Sequence, residues 1–381
     1  MSHHRFERVQ ADFSAKALLN NYDAIRALVP GQAILPMIKA GAYGHGAGWV
    51  AGRLAGEPDL YGLGVATLDE GEEVRKALGE QKLRCKIVVV SGTALWSDEK
   101  GQFCEKHGLT ATISSEEDWV RFLRGRWNER IPYELKFNTG MNRLGISPNY
   151  ARTIAKALRD APAVAHPSGI YSHLAIGENP EEKLSLMQRE LFVQVRGDFE
   201  TACPSAHFHL ANSSAIWNAK KWGLDGLTDV VRPGLSLYGV PPFQGAPMRG
   251  LSPVMTLSCQ VLAVHDLKPG DRVGYGGTFK VDGKAQDRTR VAILAGGYAD
   301  GIMRHLGNGL GSVFMGDQKQ PIVGIVSMDL CAALAPKSVK PGDWAQILGP
   351  GIDPWEQARA AGTIPYELLT SVASRVERRY G

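Results

Sequence analysis

Between residues 33 and 239, short apolar runs alternate with longer amphipathic stretches. The runs are AILPMIKA (33–40), YGLGVA (61–66), KIVVV (86–90), LTATIS (109–114), YELKFN (133–138), GIYSHLA (169–175), HFHLAN (207–212) and DVVRPGLSLYG (229–239). Each has the length of a strand and is rich in Val, Ile, Tyr or Phe. Helical patterns lie between them: NYDAIRAL, DEGEEVRKAL, SEEDWVRFLRG, NYARTIAKAL and PEEKLSLMQRELFVQV. Ser114 and Ser115, followed by Glu117 and Asp118, mark a helix start. Eight strand candidates separated by helices predict an α/β fold opening with a (β/α)8 TIM-like barrel. An open doubly wound sheet is the alternative that periodicity leaves standing.

After about residue 245 the helical periods largely vanish. VMTLSCQVLAV, RVGYGGTF, RVAILAGGY, GSVFMG, QPIVGIVSM and DWAQILG are punctuated by turns such as the two KPGD segments. This texture predicts a second, mainly antiparallel β domain at the C-terminus. The expected division is 10–243 for the barrel and 244–381 for the β domain, with residues 1–9 candidates to join the latter. The Pro- and Gly-rich LYGVPPFQGAPMRGLSP reads as the linker, and IPYELLTSVASRVERRY as a closing helix.

In a parallel barrel the chemistry sits at the carboxyl ends of the strands. Polar residues gather at those ends here. Lys39 ends the first run, and Asn138, Thr139 and Arg143 follow the fifth. His173 ends the sixth, Asn212 and Ser213 the seventh, and Arg232, Pro233 and Gly234 fall in the eighth. Taken singly, each has a plain structural explanation. A strand-end lysine is usually solvated, a lone histidine such as His173 or His209 is more often a bonded core residue, and Tyr275 between two glycines suits a hairpin. Their recurrence at matching strand ends favours a site.

Composition changes this picture little. Of 381 residues, 44% are hydrophobic and 22% charged, an ordinary globular balance. Net charge is +4, without the basic block that would suggest nucleic acid. Five cysteines at long spacings, with no C-x-x-C, fit reduced thiols rather than a disulfide framework or zinc site. MSHHRFERVQ has no apolar run behind it, and no stretch approaches the roughly 18 apolar residues of a membrane helix. A cytoplasmic protein with no membrane and no metal partner is expected.

MIKAGAYGHG (37–46) resembles the lysine motif by which alanine racemases hold pyridoxal phosphate (PLP). ELKFNTGMNRLGI (134–146), GIYSHLA (169–175), HLANSSA (209–215), VVRPGLSLYG (230–239) and VGYGGTF (273–279) resemble further landmarks of that family, in order. So do GGYADGIMR (296–304), GIVSMDL (324–330) and PYELLTSVASRVERRY (365–380). The resemblance implies a PLP-binding barrel, a β domain, a homodimer with shared active sites, and interconversion of L- and D-alanine for peptidoglycan. It implies that Lys39 carries the cofactor as a Schiff base and is one of two proton-transfer groups, the other being Tyr275 from the second subunit. A racemase needs two, one on each face of the substrate.

By the same resemblance, Arg232 faces the pyridine nitrogen. Always cationic, it disfavours a protonated ring. His209 orients Arg232, and His173 packs on the ring. Arg143 reaches the cofactor's phenolic oxygen and the substrate carboxylate. Tyr43, Asn212, Ser213, Gly234, Leu235 and Tyr366 bind the cofactor, chiefly its phosphate. Met328 binds substrate, Asp329 and Tyr298 line the shared wall, and Lys136 matches a position carbamylated in some members. Gly41, Asn138 and Ser327 depart from the commoner asparagine, aspartate and cysteine. None of these departures removes a catalytic group, and Asn138 bears on the surroundings of Lys136.

The alternatives are a racemase of serine or of broad specificity, a decarboxylase of the same architecture, a non-catalytic PLP carrier, and a metal-dependent hydrolase built on His173, His209 and Asp229. Tyr298 and Tyr366 favour the small substrate. VVRPG, with a cation where the decarboxylase would place an acid, argues against that enzyme, and the β domain argues against the bare-barrel carrier.

Overall fold

The computed structural model describes residues 8–79, 85–282 and 288–381. Its described residues divide into two compact units, one within 19–237 and 241–251, the other within 8–18, 238–240 and 252–381; residues 1–7, candidates to join the latter, lie outside the described residues.

All eight expected barrel strands form. After β1 (Val9–Phe13) come β2 (Ala33–Ile34), β3 (Leu63–Val65), β4 (Ile87–Val89), β5 (Thr110–Ile113), β6 (Tyr133–Lys136), β7 (Gly169–Tyr171), β8 (His207–His209) and β9 (Val230–Val231). β3 to β8 make a parallel sheet in sequence order, and β2 pairs parallel with β9. Two short seams close the ring. Tyr61 N–H donates to the Ile34 carbonyl and Gly64 N–H to that of Pro36; Arg232 N–H donates to the Ala211 carbonyl. The open-sheet alternative is excluded.

Successive strand residues point to opposite faces. On β6 the Tyr133 ring packs outward on Phe122, with centroids 4.8 Å apart. Glu134 and Lys136 therefore point into the barrel, joined by Tyr171 and His209, whose rings stack at 4.7 Å. The helices start as their sequences dictate. Thr67 and Glu70 form a capping box for Leu68–Leu78, and Ser115, the second of the two serines, caps Glu116–Arg124 through the Asp118 N–H.

The second unit contains β10 (Met255–Leu267), β11 (Arg272–Val273), β12 (Phe279–Lys280), β13 (Thr289–Leu294), β14 (Ser312–Met315), β15 (Gln318–Val323), β16 (Cys331–Leu334), β17 (Trp344–Leu348) and β18 (Glu377–Tyr380). The order β13-β16-β15-β14-β17-β10, with β10 also pairing β13, closes an antiparallel ring that leaves its six strands no free edge. The 13-residue β10 serves both sides, its first half on β17 and its second on β13, with a register shift between Val261 and Ala263.

Two details depart from the sequence reading. β1, which the apolar pattern does not reveal, lies antiparallel to β10, so residues 10–18 fall in the second unit. The closing helix is only Pro365–Thr370; the chain then turns and ends in β18, parallel to β1. ERRY has no strong strand signature, but the open edge of β1 offers a ladder, and Tyr380 stacks on Phe13 at 4.9 Å. Among the described residues no helix is long and apolar enough to cross a membrane.

Candidate active site

Lys39 follows β2 at the carboxyl end of the barrel. Two backbone bonds fix its approach: Met37 N–H to the Pro233 carbonyl at 2.9 Å and Ile38 N–H to that of Gly64 at 2.8 Å. The next five residues all have positive φ: Ala40 (52°), Gly41 (59°), Ala42 (56°), Tyr43 (53°) and Gly44 (80°). This is a turn of left-handed helix, costing roughly 1–2 kcal/mol for each non-glycine residue. Its stabilisers are specific. Ala42 N–H donates to the Ile38 carbonyl, Gly44 N–H to that of Ala40, and the buried His45 Nδ1 lies 2.9–3.0 Å from the Ala42 and Tyr43 carbonyls. Gly41 is a suitable replacement for asparagine here, since both tolerate this conformation. Burial, then the Arg143 cation, lower the Lys39 pKa, while Glu70 opposes them. A lysine so placed presents a neutral amine at lower pH than a solvated one.

Arg232, buried just beyond β9, is held on all sides. One terminal nitrogen donates to His209 Nδ1 at 3.0 Å and the His209 carbonyl at 2.8 Å. The other donates to the carbonyls of Ser172 at 2.5 Å and Leu210 at 3.2 Å, and lies 3.4 Å from His173 Nδ1. Burial pushes its pKa down to about 10, and the guanidinium remains charged at neutral pH. Burial, Arg232 and Arg143 hold His173 well below the usual imidazole range, so it is neutral. His173 and His209 thus flank a guanidinium. Asp229 accepts Phe208 N–H and lies 3.6 Å from Arg196, and among the described residues no three His, Cys, Asp or Glu gather for a metal. The hydrolase alternative lacks its ligand set.

Lys136 is 6% exposed. Burial, Arg143, Arg232 and Lys39 push its pKa down to about 8. Arg143 is exposed, on the loop after β6. Asn138 shapes that loop, its Oδ1 accepting from Gly140 N–H at 3.2 Å and Asn142 N–H at 2.9 Å. Lys39, Lys136, Arg143 and Arg232 make this mouth strongly cationic, a setting for a polyanionic ligand.

A second group gathers where Ser213 meets the turn after Arg232. Ser213 Oγ accepts Gly234 N–H at 2.8 Å and the Ser236 hydroxyl at 3.0 Å. A Cβ on Gly234 would stand 2.4 Å from Tyr43 Oη, so only glycine admits that phenol. Leu235 opens a helical turn, leaving its N–H without an intrahelical partner. Asn212 caps helix Ser213–Trp217 through Ala215 N–H at 3.1 Å and bridges to Arg232, so its amide shapes the cradle. Hydroxyls, a phenol and helix-start N–H groups together suit a phosphate.

The β domain carries the remaining candidates. Tyr275 stands 72% exposed on the turn joining β11 to β12. Gly274, Gly276 and Gly277 supply the positive φ values that turn needs. Tyr298 and Ala299 donate their N–H groups to the Ser327 and Met328 carbonyls, at 3.0 Å each. Arg375 binds Asp300 with two nitrogens, at 2.7 and 2.9 Å, and Asp329 at 2.8 Å. Tyr298, Met328 and Asp329 therefore form one stitched surface. Tyr366 lies on helix Pro365–Thr370.

Three supporting residues escaped the sequence reading. Glu70 accepts Ala40 N–H at 2.6 Å, its capping-box motif disguising the second duty. Glu134 reaches His209 from inside the barrel, at 3.2 Å. Gln188 donates to the His173 carbonyl at 2.9 Å and accepts Ala175 N–H at 2.8 Å, which pins the β7 mouth.

The chain thus joins a closed α/β barrel, whose mouth carries a lysine of lowered basicity, further cations and a cradle of hydroxyl and N–H groups, to an antiparallel β ring. The family model "Alanine racemase, N-terminal domain" matches residues 13–242, and "Alanine racemase, C-terminal domain" matches 254–380. The chain belongs to the alanine racemase family. It is similar to the alanine racemase of Nitrosococcus oceani, 36% identical over 97% of this chain and 98% of that one. With that of Deinococcus radiodurans it shares 33% over 98% and 99%. Among solved structures, the alanine racemase of D-cycloserine-producing Streptomyces lavendulae superposes with a TM-score of 0.85 at 29% identity, covering 99% of this chain and 98% of that one. That of Bartonella henselae with covalently bound pyridoxal phosphate superposes at 0.82 and 29%, covering 99% and 100%.

Proposed function

We propose that this chain interconverts L- and D-alanine with PLP, by proton transfer between two groups on opposite faces of the substrate. Lys39 is one group, and Tyr275 of the partner subunit in a homodimer is the other. The observation that carries the reading is Arg232, a buried cation locked by five protein acceptors at the mouth that also holds Lys39. A decarboxylase would need an acid there.

The residues present fit PLP. Tyr43, Ser213 and the Gly234 and Leu235 N–H groups would hold its phosphate in a cradle that a Cβ on Gly234 would fill, with Asn212 shaping it. PLP when bound supplies an electron-withdrawing system that acidifies the substrate α-proton. Lys39, its basicity lowered, takes or returns that proton at Nζ. Tyr275 serves at Oη on the other face. Arg232, with His209 behind it, would keep the pyridine nitrogen unprotonated, and His173, a neutral imidazole, would pack beside the ring. Arg143 and, from the partner subunit, the Met328 N–H would take the substrate carboxylate, Asp329 and Tyr298 would belong to the same shared wall and entrance, and a carbamate on Lys136 would give Arg143 an anionic partner. Cytoplasmic D-alanine supply for peptidoglycan is the role proposed.

The test is to supply the purified protein with PLP and then with L-alanine, L-serine and L-lysine in D2O, following chirality and α-proton exchange. Alanine should racemise fastest, and Lys39→Ala should abolish turnover. Faster serine turnover would favour the serine alternative, and a Lys39→Ala protein that still racemises alanine would sink the reading.

A further inference from the structure

We propose that Glu134 is a positioning residue for the reaction, fixing the tautomer of His209 and, through it, the plane and charge of Arg232. The assignment rests on the reading that Arg232 faces the cofactor's ring nitrogen.

The geometry is a chain running through the barrel interior. Tyr61 and Lys86 precede β3 and β4, and Ser168 precedes β7, so they mark the amino-terminal end. Tyr61 Oη lies 2.9 Å from both Glu134 Oε1 and the Ser168 carbonyl. Lys86 Nζ stands over the Tyr61 ring, 3.8 Å from its centroid. Glu134 Oε2 lies 3.2 Å from His209 Nε2 as a close carboxylate–imidazole contact, and neither atom makes a hydrogen bond to any other group. His209 Nδ1 receives Arg232 at 3.0 Å, at the opposite end of the barrel. Glu134 and His209 are wholly buried.

Hydrogen counting sets the tautomer. A guanidinium has only donors, so His209 Nδ1 must offer a lone pair. The imidazole proton then sits on Nε2, the ring nitrogen 3.2 Å from Glu134 Oε2. A protonated His209 would turn a second donor toward Arg232. Burial lowers the His209 pKa, and Arg232 and Lys86 add to that against Glu134, so the ring is neutral. Burial pushes the Glu134 carboxyl up, but His209, Lys86 and Tyr61 outweigh it and keep it ionised. Anion, neutral relay and cation follow one another at 3.2 and 3.0 Å, and Glu134 is the carboxylate whose charge acts on Arg232. A buried carboxylate whose cations stand one group away, Lys86 beyond the Tyr61 ring and Arg232 beyond His209, is costly, so an amide at 134 would be the cheaper core residue unless the charge has a use. The use is to strengthen His209 as an acceptor and so hold the guanidinium rigid, as carboxylates behind metal-bound histidines do.

The experiment is 15N NMR of histidine-labelled protein, PLP-loaded and PLP-free, with Glu134→Gln and Glu134→Asp beside the native chain; a His209→Gln variant assigns the signal. Native His209 should show a bare Nδ1 and a protonated Nε2 from pH 6 to 9, its Nε2–H shifted downfield. Glu134→Gln should move that proton upfield and shift the cofactor's absorbance. It should also lower kcat about tenfold to a hundredfold with KM changed less than about threefold, and Glu134→Asp should recover part of each. An Nδ1–H tautomer in the native protein overturns the proposal, even if Glu134→Gln does not fold. So does a folded Glu134→Gln whose kcat is unchanged. The NMR readout does not need turnover: a native protein with the expected His209 but no action on alanine refutes the proposed function and leaves the relay standing.

Discussion

The Glu70 carboxylate accepts the Ala40 N–H at 2.6 Å with one oxygen and the Ala66 N–H at 2.7 Å with the other. One side chain thus caps a helix and ties down the left-handed turn after Lys39. That turn is intrinsically unfavourable, so its external bonds matter more than their number suggests. Glu70→Ala should cost about 1–2 kcal/mol, the usual scale for a lost cap. Glu70→Gln keeps one acceptor and should recover part of it. Removing the charge also takes away the group that opposes the fall in Lys39 basicity, so Lys39 should react with amine reagents at lower pH in both variants. Denaturant titration and modification-rate profiles on PLP-free protein check both. An unchanged Lys39 profile would mean that Glu70 acts only as a cap.

Gly234 and Tyr43 make a second separable pair. Alanine at 234 would place Cβ 2.4 Å from Tyr43 Oη and 3.1 Å from its Cζ. Overpacking of this kind costs about 1–3 kcal/mol. Gly234→Ala should weaken PLP binding at least about tenfold, since relief requires the phenol to leave the cradle. Adding Tyr43→Phe removes the atom in the tightest contact and should restore stability without restoring affinity. Absorbance titration of the PLP-free proteins with PLP reads affinity, and thermal melting reads stability. Recovery of both in the double variant would show that Tyr43 has no part in binding.

The barrel was legible because its strands are buried on both faces and so read as continuous apolar runs, as in IVV of β4. Lys39, Arg232 and His173 were legible for the same reason: a polar residue ending such a run is conspicuous. Glu134 and Glu70 were not. An acid one residue into YELK reads as a solvent-facing strand position until ring closure turns it inward. Glu70 is fully accounted for by its local motif, and its reach to Ala40 depends on packing between segments 30 residues apart. β1 and β18 escaped because VQADF and ERRY are broken by polar and charged residues, and their pairing joins the two ends of the chain.

Lys136 gives the chain a pH signature. An ordinary lysine titrates near 10.4, and burial with three neighbouring cations pushes this one down to about 8. Between those values the unfolded chain binds more protons than the folded one, so stability contributed by this site rises with pH across that window. Below about pH 8 both states are protonated and the folded state bears the full penalty. Lys136→Met should therefore stabilise PLP-free protein at pH 7 by up to roughly 3 kcal/mol. The gain should shrink above pH 8 and vanish near pH 10. Urea titrations at several pH values in bicarbonate-free buffer test this. A gain that persisted at pH 10 would reflect packing instead of charge.

Tyr275 offers the sharpest test of two-sided proton transfer. Its side chain is 72% exposed on a glycine turn, so Tyr275→Phe should change stability by less than about 0.5 kcal/mol. Any large effect on turnover is then chemical. L- and D-alanine are equal in energy in water, so kcat/KM must stay equal in the two directions in every variant. Asymmetry has to be sought in exchange. With the phenol gone, Lys39 can still remove and return the α-proton of the enantiomer it faces. That enantiomer should exchange its α-proton with D2O and keep its configuration. The other should scarcely exchange, and racemisation should fall by about 10²–10⁴-fold. Proton NMR of each enantiomer in D2O, beside chiral chromatography, separates the two processes. Equal exchange of both enantiomers with racemisation intact would remove Tyr275 from the chemistry, leaving Lys39 to reach both faces or another group to act opposite it.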